Sequence, residues 1–261
     1  MTGFDLFVRR NNWLYGLDPR VKLAFVVTAA LLTFLWSAPR AAIGVALAVA
    51  LLCLLLLRLA RIPWPRIGGF LRGLLPLLLV VVTLTTLFAG GPGPVWLRLG
   101  PVRVTASAAV QGLLLASRLL ALSLAFYFWI STTDQGAMVR GFVALRMPHT
   151  WGLTLALALR YLPILGGLFE QVSEAQQARG LDLAKRSLSE RLAAYRPILV
   201  AVVIGALRHG ERLGWALEAR SLGAAGVRRT TYRPLRLRPA DICALGLLLA
   251  VILVAVFLRM S

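Results

Sequence analysis

Residues 70–89 read FLRGLLPLLLVVVTLTTLFA, twenty positions in which Arg72 is the only charge. About 20 mainly apolar residues in a helix match the hydrocarbon core of a bilayer, so this stretch reads as a transmembrane helix. Four further runs of the same kind lie around it, at Val21–Trp36, Ala41–Leu57, Ala106–Ile130 and Ala240–Leu258. Composition agrees across all 261 residues: 59% are apolar and 15% charged, against about 45–50% and about 25% in soluble domains. With a mean hydropathy of +0.79, the expected fold class is an all-α membrane protein with about five transmembrane helices. The first fifteen residues carry Asp5, Arg9 and Arg10 without a continuous apolar core, so no cleavable leader is expected there.

Orientation follows from arginine and lysine in the short flanks, where basic residues mark the cytoplasmic side. Four (Arg9, Arg10, Arg20, Lys22) sit in the amino-terminal flank, up to the start of the first span, and four (Arg58, Arg61, Arg66, Arg72) sit in or beside the link between the second and third. The other two links hold only Arg40 on the one hand and Arg98 with Arg103 on the other. The amino terminus is therefore expected in the cytoplasm of a prokaryotic cell (inner) membrane, and after five spans the carboxyl terminus outside. The expected divisions are 1–130 for the first four spans, 131–239 for a cytoplasmic region and 240–261 for the last span. That middle region holds 16 of the 29 basic residues. Its apolar runs, Trp151–Phe169 and the ten-residue Ile198–Leu207, are read as long amphipathic helices. The second is too short for a bilayer, and spanning would export a strongly basic segment.

Local signals support helices there. Thr132 with Gln135, and Ser187 with Glu190, have capping-box spacing. Pro163 and Pro197 kink or start helices, and Gly180 and Gly223 sit where helix-ending glycines would. Beyond the third span, Gly90–Pro94 reads as a turn and Val95–Thr105 as a short hairpin around Gly100-Pro101.

Two segments stand out as functional candidates. Ala178-Arg179-Gly180 and Ala219-Arg220-Ser221 each place an arginine between small residues near the end of an amphipathic helix. Small neighbours admit a close approach by another surface, and a guanidinium's five donors can grip a carboxylate or backbone carbonyls. Arg118 lies near the middle of the fourth span. No Asp or Glu lies inside the first four spans to pair with it, so bracing through backbone carbonyls is the favoured role. Arg160-Tyr161-Leu162-Pro163 reads as a joint in an apolar helix, and Asp241 as a helix start. Trp13, Trp36, Trp64, Trp96, Trp129 and Trp151 fall at span edges, as an interfacial belt would.

Several chemistries are disfavoured. His149 and His209 stand sixty positions apart, and Cys53 and Cys243 both lie in apolar runs, so neither a metal site nor a cofactor is expected. The chain has no Gly-Lys pair and hence no P-loop. The net charge of +19 is assigned to loops at the lipid bilayer rather than to nucleic acid. No nucleophile–base pairing suggests an enzyme.

The chain resembles the transmembrane T component of energy-coupling factor (ECF) transporters, the prokaryotic importers of vitamins and trace metals. The resemblance rests on Leu17-Asp18-Pro19-Arg20-Val21-Lys22-Leu23, Gly112-Leu113 through Arg118, Thr132-Thr133, Arg160-Tyr161-Leu162-Pro163 and the two Ala-Arg-small triplets. Membership implies a cytoplasmic region of long crossing coupling helices. The arginines of its two triplets would dock into two ABC-type ATPase subunits. A separate membrane protein, the S component, would bind the substrate, and this chain would transmit ATPase motion to it without catalysing anything itself. Asp18, Pro19, Arg20, Arg118, Arg160, Tyr161 and Pro163 would be family-motif positions. Ser221 in place of glycine departs mildly from the pattern. The alternative, a self-contained secondary transporter or channel, lacks the internal repeat and midplane features such proteins show.

Overall fold

The computed structural model describes residues 12–36, 38–90, 95–99, 102–181, 188–222, 235 and 237–260. A 3-10 helix at Trp13–Gly16 precedes α1 (Pro19–Leu35), α2 (Pro39–Leu59) and α3 (Trp64–Phe88). An antiparallel hairpin follows, β1 (Val95–Leu99) with β2 (Val102–Thr105). The rest is α4 (Ala106–Thr132), α5 (Gln135–Ala144), α6 (His149–Ala178), α7 (Leu188–Glu218) and α8 (Pro239–Met260). The protein is an all-α membrane protein with one small hairpin. Each expected span falls on a helix; α3 begins six residues early, because Pro63 and Pro65 start a helix as readily as they end one.

The chain forms two compact units, Asp5–Met147 with Leu235–Ser261, and Pro148–Pro234. The larger is built around α4, which packs against α1, α2 and α3. Small side chains let the backbones approach, as membrane helices require: Ala46, Ala50 and Cys53 of α2 and Ala121 and Ala125 of α4 are all buried. At Gly112 a Cβ would lie 3.0 Å from the Val82 carbonyl oxygen of α3. Phe25 meets Phe128 edge-on at 5.6 Å, and Phe70 stacks on Tyr127 at 4.3 Å. In the smaller unit α6 and α7 pack on each other. There Phe169 and Tyr195 stack at 6.4 Å, and Gly205 takes the Leu168 side chain so closely that a Cβ would lie 2.7 Å from it.

Two expectations change, at Thr132 and at Ile198–Leu207. The larger compact unit extends through α5 to Met147, since α5 packs on α1, with Gly141 against Pro19. Thr132 caps nothing: α4 runs through it, its hydroxyl donates to the Phe128 carbonyl at 2.7 Å, and Asp134 precedes α5 without a side-chain capping bond. The capping box at Ser187 and the glycine stop at Gly223 lie outside the described residues. Finally, Ile198–Leu207 is only the middle of α7, which is 31 residues long and passes through Pro197. Among the described residues, six helices are long and apolar enough to cross a membrane: α2, α3, α4, α6, Leu192–Glu218 of α7, and α8. Length thus gives no ground against α7, and α1, with 17 residues, is the short one. Charge still separates α7, whose residues include seven Asp, Glu or Arg.

Candidate functional site

The two arginine triplets end two helices in one and the same way. Arg179 is the C-cap of α6; its N–H donates to the Gln176 carbonyl at 3.1 Å. Gly180 follows with φ +88°, its N–H donating to Gln177 at 2.9 Å, and Leu181 reaches back to Gln176 at 3.1 Å. At the end of α7, Arg220 donates to Leu217 at 3.1 Å, Ser221 at φ +57° donates to Glu218 at 2.8 Å, and Leu222 reaches back to Leu217 at 2.9 Å. Each is a Schellman termination, in which a left-handed residue lets two successive N–H groups satisfy the last helical carbonyls. The third position of each triplet is therefore small for a reason inside the chain. Glycine adopts that backbone freely, whereas Ser221 carries a strain of roughly 1–2 kcal/mol.

The motif alone does not mark a site, since α2 and α5 also end in it. There the left-handed residues are themselves arginines, Arg61 at φ 57° and Arg146 at φ 74°. In α6 and α7 the arginine stands one residue earlier, before the chain turns away, and both Arg179 and Arg220 are exposed. Ala178 and Ala219 are exposed beside them. Leu181 and Leu222, both half-buried, complete the pattern. Sequence reasoning missed them, although an Ala-Arg-small-Leu repeat was there to be seen. Among the described residues of this unit, little else is covered within the chain. Gly152 of α6 and Ala194 and Ile198 of α7 are buried, while Leu199, Val200, Val203, Ile204 and Leu207 stay exposed. Arg160 and Pro163 lie exposed on α6, which continues unbroken past them.

The remaining motif residues belong to the other unit and are internally engaged. Asp18 caps α1, accepting from the Arg20 N–H at 2.9 Å, with Pro19 in the first turn where its missing N–H costs nothing. The Asp18 N–H in turn donates to Asp241 of α8 at 2.9 Å, and the Arg238 N–H donates to the other Asp241 oxygen at 2.8 Å. Lys22 donates to the Thr132 carbonyl at the end of α4, at 2.7 Å. Asp241 is 1% and Lys22 3% exposed, so this is a buried polar joint among the starts of α1 and α8 and the end of α4. Arg118 of α4 donates through Nε to the Thr33 carbonyl at 3.0 Å and through a terminal nitrogen to the Trp36 carbonyl at 3.1 Å, with its guanidinium 5.0 Å from the Phe34 ring centroid. It thereby satisfies carbonyls left open where α1 ends.

Comparison with known proteins follows the same outline. A family model described as the cobalt transport protein CbiQ matches residues 10–231. The chain is 30% identical to the energy-coupling factor transporter transmembrane protein EcfT of Listeria innocua over 253 residues, 92% of this chain and 91% of that one. It is 26% identical to EcfT of Staphylococcus aureus, over 96% of this chain and 94% of that one. It is also 30% identical to a protein of Bifidobacterium longum whose name is that of an ABC transporter ATP-binding protein. That match covers 89% of this chain but only 30% of the relative's length.

Proposed function

The chain belongs to the CbiQ family, as a transmembrane component of an energy-coupling factor transporter, and on that premise we propose that it couples two ABC-type ATPase subunits to a substrate-binding S component. In this reading α1–α4 and α8 lie in a prokaryotic cell membrane, with the amino terminus and the α6–α7 unit on the cytoplasmic side. The imported substrate, a vitamin or trace metal, binds to the S component. The flank charges support that orientation, and the charge carried by α7 supports its place outside the lipid. The Bifidobacterium longum relative bears an ATP-binding name, which supports an ATPase partner.

One observation carries the proposal: two helices of one unit end in the same backbone motif, each holding an exposed arginine before the turn. The left-handed turn stops the helix and takes the chain aside, leaving the guanidinium forward of small exposed neighbours. Each arginine enters a groove of a different ATPase subunit. Nucleotide-driven closure of the ATPase pair then moves α6 and α7, and through them the S component. This chain contributes grip and transmission, and ATP is hydrolysed in its partners.

The test is co-purification and uptake for Arg179→Ala, Arg220→Ala and the double variant, with Arg228→Ala as the control of equal charge change. Truncating one partner of a buried charge pair typically costs about 2–5 kcal/mol, roughly 30- to several-thousand-fold at that contact. Single variants keep the assembly partly together with reduced uptake, and the double variant sheds the ATPases. Wild-type uptake in the double variant, or equal damage from Arg228→Ala, sinks the proposal.

A further inference from the structure

Aligned at their arginines, the ends of α6 and α7 agree beyond the triplets and then differ at one exposed position. Glu170 and Glu211 each stand nine residues before the arginine, and both are exposed. One turn behind Ala178 of α6 is Glu174, also exposed. One turn behind Ala219 of α7 is Trp215, whose carbonyl accepts the Ala219 N–H at 3.0 Å. Residues four apart share a face of a helix. Each alanine that admits a close approach is therefore preceded, on its own face, by a residue that the approaching surface must also meet. On α6 that residue is a carboxylate; on α7 it is a tryptophan, 67% exposed.

The ring is not needed for the turn, which backbone hydrogen bonds complete. A bilayer or a protein could cover it, and its neighbours decide between them. On the Trp215 face, Glu211 lies four residues before and Glu218 three after, and both are exposed. Carboxylates on either side set the ring apart from a lipid surface, whose negative potential repels acids. Arg208 and Glu211 also part it from the uncovered aliphatic row, which ends at Leu207. Arg220, by contrast, follows five residues on, within about two turns. Tryptophan and arginine are the residues most enriched among those that carry an interface's binding energy. We propose that Trp215 is a second anchor for the ATPase subunit gripped by Arg220. It seats in an apolar slot with a basic rim that meets Glu211 and Glu218, and it makes the α7 contact the stronger of the two. Glu174, at the matching place on α6, meets a polar surface instead, so the two seats are not interchangeable. This role presupposes the coupling function proposed above, in which neither residue has a part.

The experiment uses the tagged full chain, co-expressed with its ATPase and S-component partners and captured in detergent, and follows the release of ATPase on washing. Trp215→Ala speeds that release about thirtyfold, and Trp215→Glu at least as much. Trp215→Phe, which keeps an aromatic ring, recovers most of the loss. Trp151→Ala, which truncates an equally exposed tryptophan in the first turn of α6, changes nothing. The isolated Trp215→Ala chain melts as the wild type does; a lowered melting temperature would make the ring structural and overturn the proposal. Unchanged ATPase release from Trp215→Ala and Trp215→Glu also overturns it. So does loss of the S component in place of the ATPase, or an effect that appears in lipid vesicles but not in detergent. Failure of the arginine grip and failure of this anchor are separable. If the double arginine variant keeps its ATPases while Trp215→Ala sheds them, the grip falls and the anchor stands; the converse sinks the anchor alone.

Discussion

Arg118 sits in the unit formed by α1–α5 and α8, and its guanidinium donates to two backbone carbonyls of the same chain. Arg179 and Arg220 sit in the α6–α7 unit, with exposed side chains at helix ends whose carbonyls the backbone itself has already satisfied. The same contrast runs through both units. In the first, Asp18, Lys22 and Asp241 are buried and bonded, and small residues bring the helices into close contact. In the second, two long helices bury few side chains and leave a row of aliphatic residues uncovered. The first unit bonds Lys22, Arg118 and Asp241 internally, as lipid offers no alternative partner, although Asp18 Oδ2, Arg20 Nε and Thr133 Oγ1 are buried there without a hydrogen bond. The second holds its strongest hydrogen-bond donors outward, an arrangement suited to completion by other chains.

The largest expected effect is the loss of ATPase partners in the Arg179→Ala, Arg220→Ala double variant, and their retention in co-purification would break the comparison. With Arg118 the damage should go the other way. Arg118→Leu strands the Thr33 and Trp36 carbonyls. Two bonds from a charged donor at about 1.5–3 kcal/mol each, less the relief of no longer desolvating a cation, leave a loss of about 2–4 kcal/mol. Thermal unfolding in detergent should show that loss, with Arg118→Lys recovering part of it. Arg179→Leu in the isolated chain should leave the melting temperature nearly unchanged. Equal destabilisation by the two would erase the distinction between the units.

Two glycines sharpen it further. Gly112→Ala forces a Cβ to 3.0 Å from the Val82 carbonyl oxygen and 3.1 Å from the Thr86 hydroxyl. Backbone cannot step aside, so a cost of about 1–3 kcal/mol is expected. Gly205→Ala meets only the mobile end of Leu168, 2.7 Å away. That side chain can rotate, and alanine gains roughly 0.5–1 kcal/mol over glycine within a helix. The pair should therefore differ in sign, or nearly so, in the same melting experiment. The smallest effect is at Ser221. Ser221→Gly relieves its left-handed backbone and should slow hydrogen exchange at residues 219–222 about fivefold, about 1 kcal/mol. Gly180→Ser should do the opposite at the end of α6. No change at either position would mean that the turn is not under strain.

Hydrophobic runs of bilayer length, the flank charges and the two Ala-Arg-small triplets were all legible in the amino-acid sequence, because each is a local signal. Membrane character, five of the helices and the arginines proposed to carry coupling follow from them directly. Tertiary structure alone decided the rest. Asp241 bonds the Asp18 N–H across 223 residues, Lys22 bonds Thr132 across 110, and Arg118 reaches carbonyls 82 and 85 residues away; no periodicity records such pairings. The capping box expected at Thr132 failed for the same reason: α4 packs in the bundle and runs two residues past Ile130, through Thr132 itself. Ile198–Leu207 was read as short because charge interrupts the apolar run, yet backbone hydrogen bonding continues through arginine and glutamate alike, and α7 is 31 residues long. The left-handed backbone at Ser221 is likewise invisible in a serine, which settles there because Leu222 must return to the carbonyl of Leu217.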